Sequence, residues 1–216
     1  MPTIFRNSVV NFVLLSIVAV APSAAYAQDL APDVLVKTIS QDIVALVRHH
    51  RDTYVADPGK LAELVEERVL PHFNFEHTTR MAMGAGWRRA SPEQQGRLIR
   101  EFKTLLVHTY SNALMSYRDQ TIEYQPLRIQ PGDTQATVRS RMKKSGTGES
   151  IAIDYAMENT RTGWKIFDLK IGGISLAAAY RDSFAEEIRN HGIDGLIDLL
   201  ANKNRQAGAK SALVGA

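Results

Sequence analysis

The side chains best placed to do chemistry are two aspartates, Asp154 and Asp168, on predicted strands and beside apolar neighbours. A carboxylate in apolar surroundings resists ionisation and can act as a general base near neutral pH. Tyr110 or Tyr155 could then polarise a carbonyl, which would make an isomerase-like cavity. The plainer alternative, which we favour, puts both aspartates on the more exposed face or pairs them across strands with Arg139, Arg141 or Lys165. No other spacing suggests catalysis: the HExxH, GxSxG and GxxxxGK[ST] patterns are absent. His49 and His50 are neighbours and point to different sides of a helix, while His72 and His77 lack a third ligand nearby. The chain has no cysteine, which excludes disulfides, thiolate metal sites and a cysteine nucleophile. The expectation is therefore a protein that is not an enzyme, with no catalytic residue, no metal and no cofactor.

The elements that must position these groups fall in two halves. The first is helical. Val34 to about Ala56 repeats apolar residues at helical spacing, and Asp57-Pro58 stops and restarts the helix into Lys60–Leu70. A short helix spans Glu76–Met83 and closes at Gly84. Ser91-Pro92-Glu93-Gln94 reads as a capping box. It opens a helix to about Arg118, roughly 40 Å long, whose apolar face includes Phe102, Leu106, Tyr110 and Tyr117.

The period then changes from helical to alternating. Strands around Ile122, Ala136–Met142, Ile151–Met157 and Trp164–Ile171 are joined by short turns, an antiparallel meander of four strands. In the last strand, alternation puts Trp164, Ile166 and Asp168 on one face and Phe167, Leu169 and Ile171 on the other. Gly172-Gly173 breaks it, and Ser175 caps a returning helix with Leu176, Tyr180, Phe184 and Ile188 on one stripe. His191-Gly192 stops that helix, a last one covers Ile193–Asn202, and residues 204–216 read as a disordered tail.

The 216 residues carry a formal net charge of only +3, with both signs interspersed. No basic stripe of a nucleic-acid binder is present. Arg80, Arg88, Arg89, Lys143 and Lys144 could ring an anionic ligand or partner, or simply form a solvated face. Arg6, the apolar run Val9–Ala21 and Ala25-Tyr26-Ala27 match a cleavable secretory signal over residues 1–27. An exported chain without cysteine fits the bacterial periplasm, with one domain over residues 28–203.

An ordered set of local patterns resembles the MlaC family, also called toluene-tolerance auxiliary proteins. They are Leu70-Pro71-His72-Phe73-Asn74-Phe75, Gly84-Ala85-Gly86-Trp87-Arg88, Ser91-Pro92-Glu93-Gln94-Gln95 and Phe102–Tyr110, then Trp164-Lys165-Ile166-Phe167-Asp168, Gly173-Ile174-Ser175-Leu176, Tyr180-Arg181-Asp182-Ser183-Phe184 and Gly192–Ile197. One departure is Asn74, where many members carry Asp. The resemblance implies an α+β fold: a twisted four-stranded antiparallel sheet covered by helices, with a deep apolar pocket between them. It implies a periplasmic phospholipid carrier that maintains outer-membrane lipid asymmetry. Its implied partners are phospholipid as cargo, an outer-membrane lipoprotein complex and the inner-membrane MCE-domain ring of an ABC transporter. Each buried methylene contributes about 0.8 kcal/mol, so two long acyl chains need such a carrier to cross water. The residues expected to line the pocket are Phe102, Leu106, Tyr110, Val138, Ile153, Ile174, Leu176 and Tyr180. The rivals are the isomerase-like enzyme using Asp154 or Asp168, and a periplasmic adaptor or chaperone with an exposed apolar groove.

Overall fold

The computed structural model describes residues 30–115, 120–143 and 148–214. The expected signal peptide, Tyr117, Lys144 and the last turn of the long helix lie outside them. Among the described residues, seven α-helices and two 3-10 turns surround one five-stranded antiparallel sheet of order β1-β2-β3-β4-β5.

The helical half begins with α1 (Pro32–His49) and α2 (Arg51–Ala56), which the sequence reads as one helix. His50, at ψ 25°, separates them. The side chain of Asp57 accepts from the Gly59 amide and caps α3 (Pro58–Arg68). A 3-10 turn at Leu70–His72 leads to α4 (Phe75–Met83). The predicted capping box forms: the Gln94 amide donates to Ser91 Oγ at 3.2 Å, and the Ser91 amide to Gln94 Oε1 at 3.0 Å. It starts α5, Pro92–Met115.

The strands are β1 (Thr121–Tyr124), β2 (Gln135–Lys143), β3 (Ser150–Thr160), β4 (Gly163–Ile171) and β5 (Ile174–Ser175). The fifth strand corrects the expected four. Gly172 and Gly173 have φ of 59° and 85°, the positive pair that a two-residue hairpin demands. They do more than break the strand: they fold Ile174 and Ser175 back against Ile171 and Lys170. Ser175 Oγ then accepts from the Ala178 amide and caps α6 (Leu176–Ala179). After Tyr180, α7 spans Arg181–Val214 with a break at Gly192, where φ is 74°.

The disordered tail expected from residue 204 is also corrected, because α7 continues to Val214. Alanine, lysine and glutamine in this segment are good helix formers. Asn204 anchors it by donating to the Glu101 carbonyl and carboxylate at 2.9 and 2.8 Å.

Three apolar clusters hold the layers together. Phe102, Leu98, Leu196, Ile197 and Leu200 are fully buried between α5 and α7. Val138, Met157, Trp164 and Ile166 meet Leu35 and Val36, so α1 covers one face of the sheet. Ile43, Val47, Tyr54 and Leu61 join α1, α2 and α3. Each such side chain contributes about 1.5–3 kcal/mol.

Tyr155 packs on the α1 face of the sheet against the cluster that includes Leu35 and Val36, with Ser40 and Ser140 near its hydroxyl. Burial, reinforced by Tyr124, pushes its phenol up to about 12. Unfolded, the same phenol ionises near pH 10. Its stabilisation is thus complete below pH 10 and is lost as pH rises to about 12, on the order of 2–3 kcal/mol. Across a pH series from 9 to 12, Tyr155→Phe should flatten the decline of the denaturant midpoint. Parallel declines in the two proteins would contradict this.

Candidate apolar cavity at the free edge of the sheet

The site is built by one irregularity in β4. Ala156 pairs with Asp168 and Met157 with Ile166, so Phe167 is an extra residue, a one-residue β-bulge. Directly opposed residues share a face. The bulge therefore shifts the phase that simple alternation predicts. Leu169, opposite Tyr155, lies with Trp164 and Ile166 on the face under α1. Asp168 goes to the other face with Ala156.

The bulge is secured from α4. The Thr78 hydroxyl donates to the Phe167 carbonyl at 2.8 Å. The Asn74 amide donates to the Ile166 carbonyl at 2.8 Å. The His77 ring stacks on Phe167, with centroids 4.1 Å apart and planes 10° from parallel. Behind it, Glu158 Oε1 lies 3.0 Å from His77 Nδ1 and accepts from Asn74 Nδ2 at 2.7 Å.

Asn74 serves twice here. Its oxygen caps α4 by accepting from the His77 amide at 3.1 Å, and its NH₂ satisfies Glu158. An aspartate could keep the cap but not the donor. Asn74→Asp should therefore destabilise the fold by about 1–3 kcal/mol through two facing carboxylates. Adding Glu158→Gln should restore most of that loss in urea titrations. A double variant no more stable than Asn74→Asp would refute the pairing.

Between the bulge and α5 lies a partly open cavity of ≈ 190 Å³. Val65 of α3, Val69 just past its end, Leu70, Phe73 and Phe75 wall one side. Leu106, Val107, Tyr110, Ser111 and Leu114 of α5 wall another, and Phe167, Asp168, Leu169 and Leu176 close the sheet side. At ~30 Å³ filled by each water-sized group, this is room for about six such groups. The lining is almost wholly apolar. Its one charged residue, Asp168, is 3% exposed and accepts from the Ala177 amide at 3.2 Å. That bond fastens α6 onto β4.

Of the residues singled out from the sequence, Leu106, Tyr110 and Leu176 line this cavity. Tyr180 sits beside it, next to Tyr110, and burial followed by the neighbouring Tyr110 pushes its phenol up to about 12. Phe102 is fully buried among α5 and α7, with Tyr180 and Phe184 edge-on at 5.0 and 5.1 Å. Val138 is fully buried under α1, and Ile153 is half-buried opposite Ser140 and Ile171. Ile174 is 66% exposed on the β5 hairpin. Asp154 stands in register between Arg139 and Lys170, away from the cavity lining.

Sequence reasoning weighed Phe167 among the aromatics that could line a cavity or fill the core, but did not assign Phe73, Phe75 or Val69 to one. Helical spacing over Lys60–Leu70 does turn Val65 and Val69 inward with Leu61 and Leu64. Phe73 and Phe75 lie in a segment without helical or strand period, so their direction had no signal.

Among the described residues no group of three or more His, Cys, Asp or Glu could hold a metal ion. No described helix is long and apolar enough to cross a membrane.

A helix-roofed antiparallel sheet with a preformed apolar cavity and a single tethered carboxylate defines a binder of apolar molecules. The chain belongs to the MlaC family: the family described as "MlaC protein" matches residues 37–202. It is 26% identical over 183 residues to "Toluene tolerance protein ttg2D" of Pseudomonas putida, covering 84% of this chain and 83% of that protein. It is 21% identical over 192 residues to "Intermembrane phospholipid transport system binding protein MlaC" of Haemophilus influenzae, covering 88% of each. The fold matches the structure of a phospholipid-binding protein from Ralstonia solanacearum in complex with a phospholipid. There the TM-score is 0.74 at 36% identity, over 82% of this chain and 98% of that one.

Proposed function

We propose that this protein is a periplasmic phospholipid carrier. It would take lipid tails into the cavity between α3, α5 and the β4 bulge and move them between outer-membrane and inner-membrane complexes. The observation that carries the reading is the apolar cavity itself, in a chain that shares its fold with a phospholipid-bound structure. About six buried methylenes contribute on the order of 5 kcal/mol gross. That is enough to hold a tail against water, yet reversible once the costs of binding are subtracted. Leu106, Tyr110 and Leu176 would grip the tails directly, with Tyr180 positioning Tyr110. Phe102, Val138, Ile153 and Ile174, expected as lining from the sequence, would act through packing or at the entrance.

The partners in this reading are an outer-membrane lipoprotein complex and an MCE-domain ring of an ABC transporter. The secretory signal read over residues 1–27 delivers the chain to the compartment between them. No bond is made or broken in this task. Asp168 is instead a structural carboxylate, tethered to Ala177. A transfer assay with the two complexes in separate vesicles tests the proposal. Labelled phospholipid should pass between vesicles only when this protein is added. Transfer at the same rate without it would contradict the carrier role.

A further inference from the structure

A second cavity of ≈ 440 Å³ opens between the segment 125–129 and the outer face of β2. Phe167 lines both this cavity and the apolar one. The two cavities therefore meet at the β4 bulge, where Phe167 stacks on His77. The two chambers differ in charge. The apolar chamber has one charged lining residue, Asp168; the second has two, Arg128 and Arg139, beside the polar Gln125, Gln135 and Thr137.

We propose that the second cavity is the phosphate subsite for a lipid whose tails occupy the first. The assignment rests on the carrier reading above and adds to it a headgroup contact. A phosphodiester is a monoanion. Near Asp168 it would meet a like charge in low-dielectric surroundings, where repulsion is strong. Past Phe167 it meets two guanidinium groups, whose planar donors match phosphate oxygens two at a time.

Neither Arg128 nor Arg139 makes an ion pair or side-chain hydrogen bond among the described residues. Asp154 faces Arg139 in register on β3, but is not part of the cavity lining. Both arginines are exposed, so their donors are available to a ligand. The recognised chemistry is a phosphate oxygen pair attached to two apolar tails. Arg128 and Arg139 are specificity-determining residues for the phosphate-bearing lipid over its headless analogue.

The test loads delipidated protein from vesicles holding equal amounts of phosphatidylethanolamine and diacylglycerol with the same acyl chains. The zwitterionic lipid keeps vesicle charge from steering the result. Extracted lipid is counted by mass spectrometry. The wild type should retain the phospholipid over diacylglycerol by at least about tenfold. The double variant Arg128→Gln, Arg139→Gln should fall to near parity with its diacylglycerol uptake unchanged. An unchanged ratio in the variant, or no preference in the wild type, overturns the assignment while leaving the carrier reading intact. Uptake of neither lipid overturns both. Inorganic phosphate that binds the lipid-free protein as tightly as the phospholipid does would make this a free-anion site and overturn the headgroup assignment.

Discussion

Purified Leu106→Asp protein is expected to be folded but without lipid. Leu106 lies on the cavity face of α5, half-buried, with Tyr110 one turn further on. While the cavity is open to water, an aspartate there can stay hydrated. The cost to the fold is then modest, about 1–3 kcal/mol for the lost packing. A tail entering the cavity would strip that hydration, and a buried unpaired carboxylate costs several kcal/mol. Every ~1.4 kcal/mol is tenfold in affinity, so retention should fall by on the order of a thousandfold. Circular dichroism and a thermal melt establish the fold; solvent extraction establishes the lipid. Retention of lipid at wild-type levels would show that tails do not pass Leu106.

The largest effect on stability is expected at Phe102, one turn earlier on the same helix. Its side chain is fully buried, with Tyr180 and Phe184 packed edge-on against it. Phe102→Ala leaves a void that α5 and α7, crossing here along their length, cannot close. Such truncations cost about 3–5 kcal/mol. For a domain of this size each kcal/mol lowers Tm by about 2–4 °C, so a drop of about 10 °C is expected. Lipid retention measured well below the new Tm should change far less than in Leu106→Asp. A stable Phe102→Ala protein that has lost its lipid would place Phe102 in the cavity wall instead.

That contrast shows what the sequence could and could not convey. Helical periodicity puts Phe102, Leu106 and Tyr110 on one apolar face, as observed. It cannot say that α7 covers the first while open space lies beside the others, because that depends on partners far away in the chain. Local chemistry was legible. Ser91 and Gln94, Asp57, Ser175 and the Gly172-Gly173 turn each carry their backbone instruction in one or two side chains.

The β4 bulge was not legible, since nothing in Trp164–Ile171 marks one residue as extra. It arises from register with β3 and is held by Thr78 and Asn74, about 90 positions away. Because of it, Asp168 takes the opposite face from Trp164 and Ile166. The wall made by Leu70, Phe73 and Phe75 was hidden for a related reason. Its backbone follows no repeat, so side-chain direction is set by the isolated bridge between Phe73 and Ile166. The helix beyond residue 204 was obscured by its small polar composition, which suits a loose tail as well as a helix.

The most direct measurement is the lipid content of the protein itself. Purified without detergent and extracted with organic solvent, it should yield phospholipid in stoichiometric amount by mass spectrometry. Delipidated protein should recover that amount on exposure to phospholipid vesicles. A folded protein that neither carries phospholipid nor takes it up would contradict the claim that the space between α3, α5 and the β4 bulge exists to hold lipid tails.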